Sequence, residues 1–204
     1  MLSNIKNIIF DIGGVLVDLD MERCLEAFAA IGYEDAKDMV SCYHPNAFFG
    51  ALERGEISVD EFCCEIRKAS GLELTNDEIA KAYGALLVGI PVEKLRMIKS
   101  LRDRGFKIYA LSNISEILIE PVLRFMEADS LKVDDYFDHM FLSYQMGVMK
   151  PDPKIYEMLI SQSGVDPAQT LFIDDAEKNI VAAREFGLQV YLAEAREDLN
   201  HLFG

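Results

Sequence analysis

Apolar residues in this chain fall into short runs separated by longer amphipathic stretches. A first run, Lys6-Asn7-Ile8-Ile9-Phe10, ends on Asp11, and a second, Phe106-Lys107-Ile108-Tyr109-Ala110-Leu111, is followed by Ser112-Asn113. Three more complete the set: His139–Ser143, Thr170-Leu171-Phe172-Ile173 and Gln189-Val190-Tyr191-Leu192. Runs of this length rich in β-branched and aromatic residues predict strands. Between them the period lengthens. Over residues 92–104, Val92, Leu95, Ile98 and Leu101 share one helical face, and Gly105 stops the helix. Residues 153–163 and 176–186 read the same way, the second closed by Gly187. Alternating βα units predict an α/β fold, a doubly wound and mostly parallel sheet with helices on both faces.

Residues 19–89 break this rhythm. No strand is legible there, and four helical segments are predicted, at Met21–Ile31, Tyr33–Cys42, Val59–Ser70 and Asn76–Val88. Ser58 and Thr75 stand at N-cap positions with Glu61 and Glu78 three residues on, the capping-box spacing. Gly32, Gly55 and Gly71 mark turns. The expected organisation is an α/β core of residues 1–18 and 90–204 carrying a helical insert, 19–89, over the tip of the first strand. Phe48, Phe49 and Leu52 in that insert are expected to pack in its core rather than line a pocket.

Composition narrows the function classes. The chain has 204 residues, half of them hydrophobic, enough for one domain with a smaller insert. A formal net charge of −15 argues against nucleic acid or an anionic membrane as partner. No apolar run reaches the roughly 20 residues that cross a bilayer, and the first residues lack the pattern of a signal peptide. Cys24, Cys42, Cys63 and Cys64 have no metal-like spacing and read as reduced thiols. A cytoplasmic protein is expected; the oligomeric state is not legible.

Chemistry enters at the strand ends. Asp11, Ser112-Asn113, Lys150 and Asp174-Asp175 all lie at or just beyond the C-terminal tips of predicted parallel strands, where doubly wound sheets place their ligands. Each has an ordinary reading alone: a loop carboxylate, a helix cap, a solvated lysine. Together they supply what phosphoryl transfer through an aspartyl-phosphate requires. A carboxylate attacking a phosphate faces repulsion that a divalent ion on Asp11 and the acidic pair, with Lys150 on the phosphate, would offset. Oxygen ligands suit Mg²⁺. Ser112 and the Asn113 backbone N–H would complete the cradle.

The segments Phe10-Asp11-Ile12-Gly13-Gly14-Val15-Leu16, Leu111-Ser112-Asn113, Lys150-Pro151-Asp152-Pro153 and Phe172-Ile173-Asp174-Asp175, in this order and with a helical insert after the first, resemble the haloacid dehalogenase-like hydrolases. The resemblance spans nearly the whole chain and implies a Rossmann-like core with an α-helical cap. It implies Asp11 as nucleophile, Ser112 and Lys150 on the phosphate, and Mg²⁺ held by Asp175, Asp174, Asp11 and the Gly13 carbonyl. The substrate implied is a small phosphorylated metabolite.

One position departs from the pattern. Phosphatases of this family usually carry Asp-x-Asp in the first segment, and the second carboxylate serves as acid and base; here it is Gly13. Three explanations compete. The enzyme could be a phosphatase with a good leaving group or an acid from the cap side, similar to a subgroup with Asp-x-Gly that includes a bacterial sugar-1-phosphate phosphatase. Asp18 and Asp20 are nearby candidates for that acid, and solvated linker residues are the alternative. Arg54, in Glu53-Arg54-Gly55-Glu56, is then a candidate substrate-binding residue, or a surface cation. The chain could instead be a dehalogenase, which leaves Asp174-Asp175 without a purpose, or a degenerate binding protein.

Overall fold

The computed structural model describes residues 4–36, 48–127 and 131–204. Its centre is a five-stranded, all-parallel sheet made of β1 (Asn7–Phe10), β4 (Lys107–Ser112), β5 (His139–Leu142), β6 (Thr170–Asp174) and β7 (Gln189–Leu192), in the order β5-β4-β1-β6-β7. The first strand is central, so both its neighbours hold its backbone and both its faces are covered. Alternation along it assigns those faces: Ile8 and Phe10 join one apolar cluster, Ile9 the other, with Phe172 and Leu111. The helices on the two sides are α5 (Val92–Asp103), α6 (Glu116–Met126), the short α7 (Val133–Tyr136) and α8 (Ser143–Met146), then α9 (Pro153–Ser163) and α10 (Glu177–Glu185).

Helix α6 is not among the predicted elements, because Pro121 lies inside it. An interior proline removes a backbone bond and normally costs about 3 kcal/mol. Burial of Leu118, Ile119, Val122 and Met126 along one stripe offsets that cost.

Between β1 and β4 the chain leaves the core and returns. The described helices of the insert are α1 (Met21–Ala30), α2 (Phe48–Glu53), α3 (Val59–Ser70) and α4 (Asn76–Gly84). Both expected capping boxes are formed, Ser58 with Glu61 and Thr75 with Glu78. Helix α4 stops at Gly84, short of Val88, and the reading of 19–89 as free of strands is corrected. The outgoing and returning linkers pair as an antiparallel ribbon, β2 (Asp18–Leu19) with β3 (Leu87–Gly89). The two linkers run side by side in opposite directions and satisfy each other's backbone groups, and two or three residues are too few to leave a periodic signal. Residues 33–36 are turn rather than helix, and the remainder of the predicted Tyr33–Cys42 segment, including Cys42, lies outside the described residues. Phe48, Phe49, Phe62 and Tyr83 form one aromatic cluster with neighbouring ring centroids 4.9–5.8 Å apart, so Phe49 and Leu52 pack inside the insert as expected. No described helix is long and apolar enough to cross a membrane.

Candidate active site

Because β4, β1 and β6 are adjacent and run in the same direction, their C-terminal ends deliver Ser112, Asp11 and Asp174 to one rim of the sheet. Lys150 reaches the same place from the loop after α8. Lys150 is 2% exposed, and its ammonium has three acceptors: Asp11 Oδ1 at 2.9 Å, Asp174 Oδ2 at 2.7 Å and the Leu111 carbonyl at 2.8 Å. An ammonium has three protons, so this lysine is fully satisfied before any substrate arrives. Burial alone would lower its pKa, but the Asp11 and Asp174 carboxylates outweigh it and the net shift is upward. The charge is therefore fixed. The loop that carries it is held by Asn113, whose side-chain carbonyl accepts from Lys150 N at 2.8 Å and whose amide donates to the Lys150 carbonyl at 2.9 Å. The Asn113 side chain thus braces Lys150 and is not available to a phosphate.

Asp11 accepts from the Ile12 N–H at 2.6 Å and pairs with Lys150. Burial is the main cause that lifts its pKa to about 7, Lys150 opposes the rise, and the Asp174 and Asp175 charges add to it. Asp174 is fully buried. Its two oxygens accept from the Ala176 N–H at 2.8 Å, from Asn179 Nδ2 at 2.9 and 3.1 Å and from Lys150, which makes it the most heavily bonded of the three carboxylates. Asp175 is the most exposed of the three, and partial desolvation of its carboxyl together with the Asp174 charge raises its pKa.

One oxygen from each of Asp11, Asp174 and Asp175 lies within 4.8 Å of the others. Three carboxylates so close repel one another, which two of them register as raised pKa values, and one lysine offsets only part of the repulsion. The donor set is all oxygen. It fits a small divalent cation such as Mg²⁺, with Asp11 and Asp175 the less committed ligands and Asp174 the more firmly held.

Two contributors carry no role in the sequence reading. Asn179 orients Asp174, and Tyr156 in turn donates to the Asn179 carbonyl at 3.1 Å. Gly14 has φ +78°, and a Cβ there would stand 2.0 Å from Asp175 Oδ2. The bare Gly13-Gly14 pair was the available signal, but only the fold shows that the second glycine admits Asp175. Gly13 itself pairs with Val17 in an isolated bridge, and a Cβ on it would meet the Leu19 side chain at 3.2 Å.

The cap reaches the rim through one turn. Ser143, at the start of α8, donates to the Glu53 carbonyl at 2.5 Å and also bonds the backbone of Ile114, next to Asn113. Gly55 has φ +64°, and its missing Cβ leaves room for the Tyr144 carbonyl. Arg54 comes to this seam too: its Nη1 lies 3.7 Å from Met149 Sδ, beside Lys150, while Nε and Nη2 are held by Glu56 at 2.7 and 2.8 Å. Arg54 is thus brought beside the Lys150 loop and is clamped there by Glu56 on its own turn.

Residues 5–187 match a family model described as haloacid dehalogenase-like hydrolase. D-ribitol-5-phosphate phosphatase of Bacteroides thetaiotaomicron is 35% identical over 195 residues, covering 95% of this chain and 94% of its own. A crystal structure of a haloacid dehalogenase family enzyme from the same organism, in complex with magnesium and inorganic phosphate, superposes with a TM-score of 0.93 at 37% identity, covering 98% of this chain and 100% of that one. A HAD-like family hydrolase of Porphyromonas gingivalis gives a TM-score of 0.90 at 33% identity, covering 98% and 97% of the two chains.

Proposed function

The chain belongs to the haloacid dehalogenase-like hydrolase family, and from that premise we propose that Asp11 attacks the phosphorus of a small phosphorylated polyol or sugar. The activity is Mg²⁺-dependent hydrolysis of a phosphomonoester. The observation that carries the assignment of roles is the buried triad in which one ammonium bridges Asp11 and Asp174, with Asp175 alongside. Such a cluster is costly as a structural device, since taking each charge out of water costs several kcal/mol. It is suited to a reaction in which a dianion must approach a carboxylate.

In the first step an Asp11 oxygen bonds to phosphorus and the ester P–O bond breaks, leaving an aspartyl-phosphate and the free alcohol. In the second, water attacks that phosphorus and releases inorganic phosphate with Asp11 restored. Lys150 has no spare proton to donate, so it acts through its charge, lowering the repulsion between nucleophile and phosphate. The Ser112 hydroxyl and the Asn113 backbone N–H bond the phosphate oxygens. Asp11, Asp175, Asp174 and the Gly13 carbonyl hold Mg²⁺, which when bound supplies further neutralisation of the transferring group. Residues 19–89 form the cap that excludes water, and Arg54 contacts the substrate from its turn.

The relatives support a sugar-like or polyol substrate by the name of one of them, D-ribitol-5-phosphate phosphatase. The test is a panel of five- and six-carbon polyol and sugar phosphates with Mg²⁺, using the native chain and Asp11→Asn. Turnover should require Mg²⁺, stop with EDTA, favour polyol or sugar phosphates and fall by about 10⁴-fold or more in Asp11→Asn. Full activity in that variant overturns the nucleophile assignment, and metal-independent halide release from a 2-haloacid overturns the reaction class.

A further inference from the structure

Residue 13 offers no side chain, and the Leu19 side chain fills the space into which one would grow. The two carboxylates nearest in sequence are engaged elsewhere. Asp20 caps α1, accepting from the Glu22 and Arg23 N–H groups at 3.1 and 3.3 Å. Asp18 sits in the linker ribbon, 3.7 Å from the buried Lys94 ammonium. Both are therefore parts of the hinge and not of the reaction.

Glu53 is placed differently. It ends α2 at the turn where the cap meets the core, its carbonyl taken by Ser143 and the next residue, Arg54, seated against Met149. Through Ser143 the same turn is tied to Ile114 and so to the Ser112-Asn113 loop. The groups around its carboxyl come from both sides of the seam: Tyr83 Oη of α4 at 3.5 Å, Arg54 on its own turn, and Lys178 from the first turn of α10, three residues after Asp175. The side chain is only half-buried, yet desolvation lifts its pKa to about 7 against the pull of Tyr83, Arg54 and Lys178. Desolvation at this turn, rather than a neighbouring negative charge, is what favours the neutral carboxyl. Outside the Asp11, Asp174 and Asp175 cluster it is the described carboxyl poised to hold and release a proton near neutrality.

We propose that Glu53 is the general acid and base of this reaction, serving from the cap side the role that residue 13 cannot serve from the core. The proposal rests on the assignment of Asp11 as nucleophile. In the first step the ester oxygen leaves with the electron pair of the P–O bond and takes the Glu53 proton, so the product departs as the alcohol. In the second step the Glu53 carboxylate removes a proton from water as its oxygen bonds to phosphorus and the Asp11–P bond breaks. The proton returns to Glu53, and the sum is one ester and one water converted to one alcohol and one phosphate. Cap closure would then assemble the acid with the nucleophile, linking turnover to closure.

The experiment compares Glu53→Gln with the native chain on ribitol 5-phosphate, whose alkoxide needs a proton, and on p-nitrophenyl phosphate, whose phenolate leaves without one. Glu53→Gln should lose about 10²-fold in kcat/KM on the first. On the second it should release a burst of one p-nitrophenolate per enzyme at the native rate and then turn over slowly, because water activation is lost. The limb of the native pH profile near 7 should disappear in Glu53→Gln and return in Glu53→Asp, which keeps the acid; that variant also carries the comparison if the amide fails to fold. Equal losses of kcat/KM on the two esters, or no loss on either, overturn the role of Glu53. Activity retained in Asp11→Asn overturns the underlying nucleophile reading instead, so the two failures are separable.

Discussion

The strand-tip cluster and the cap turn above it are built on opposite principles. At the strand tips every donor of Lys150 is used, Asp174 accepts from three different residues, and even the supporting Asn113 is bonded in both directions to the Lys150 backbone. At the cap turn, the Ser143 hydroxyl on the Glu53 carbonyl and Arg54 on Met149 Sδ cross the seam, while Tyr83 bonds Glu53 from within the cap. The Ser143 hydroxyl has a single proton and two carbonyl acceptors, Glu53 and Ile114, so it remains bonded to the core when the cap lets go. The difference teaches a division of labour. The strand-tip groups, proposed to meet the phosphate, are held in place before any substrate binds, which lowers reorganisation during reaction. Arg54, proposed to meet the variable part, sits on a turn whose release would leave the Ser143 hydroxyl bonded to Ile114.

The sharpest way to break this contrast is Lys150→Met, which leaves Asp11 and Asp174 buried without their cation. Removing one partner of a buried pair typically costs about 3–5 kcal/mol, and for a chain of this size the thermal midpoint of the metal-free protein should fall by roughly 10 °C. A midpoint within a degree or two of the native value would show that the cluster is not the rigid half. Gly14→Ala comes next. Its Cβ would press on Asp175 from a backbone conformation that favours glycine, so Mg²⁺ affinity, read by titration calorimetry, should weaken by about 10-fold or more. Unchanged affinity would remove Asp175 from the metal site.

The pH dependence of stability tests the cap side. Glu53 has a folded pKa of about 7 against an ordinary value of 4.5, so between those limits the folded chain holds a proton that the unfolded chain has lost. Its contribution to stability is thus full below about pH 4.5 and is lost as pH rises towards 7. Chemical denaturation of the metal-free protein at steps across this window should show a negative slope that is shallower in Glu53→Gln; identical slopes would contradict a desolvated carboxyl at the seam. The smallest effect is expected of Ser58→Ala, which removes one capping box at the far end of the turn. It should cost about 1 kcal/mol with kcat unchanged, and a loss of kcat would mean that the turn is less free than its contacts imply.

Much of this was legible because short-range rules govern it. The capping boxes of α3 and α4, the core strands and α9 follow from local spacing, and parallel order then forces Asp11, Ser112 and Asp174 onto one rim. Helix α6 was hidden by Pro121, whose cost is met by burial that no local window registers. The ribbon β2–β3 was hidden because each of its strands depends on the other, 68 residues away at Leu19 and Leu87.

What the sequence by itself determined is therefore the architecture of the core and the identity of the groups at its rim, since period, caps and strand order are local or combinatorial properties. Only the tertiary structure decided how those groups are shared: that Asn113 braces Lys150, that Gly14 makes room for Asp175, and that Glu53 rather than Asp18 or Asp20 faces the seam. Those outcomes depend on distances between residues far apart in the chain and on the water excluded between them. Neither quantity exists until the cap and the sheet have packed.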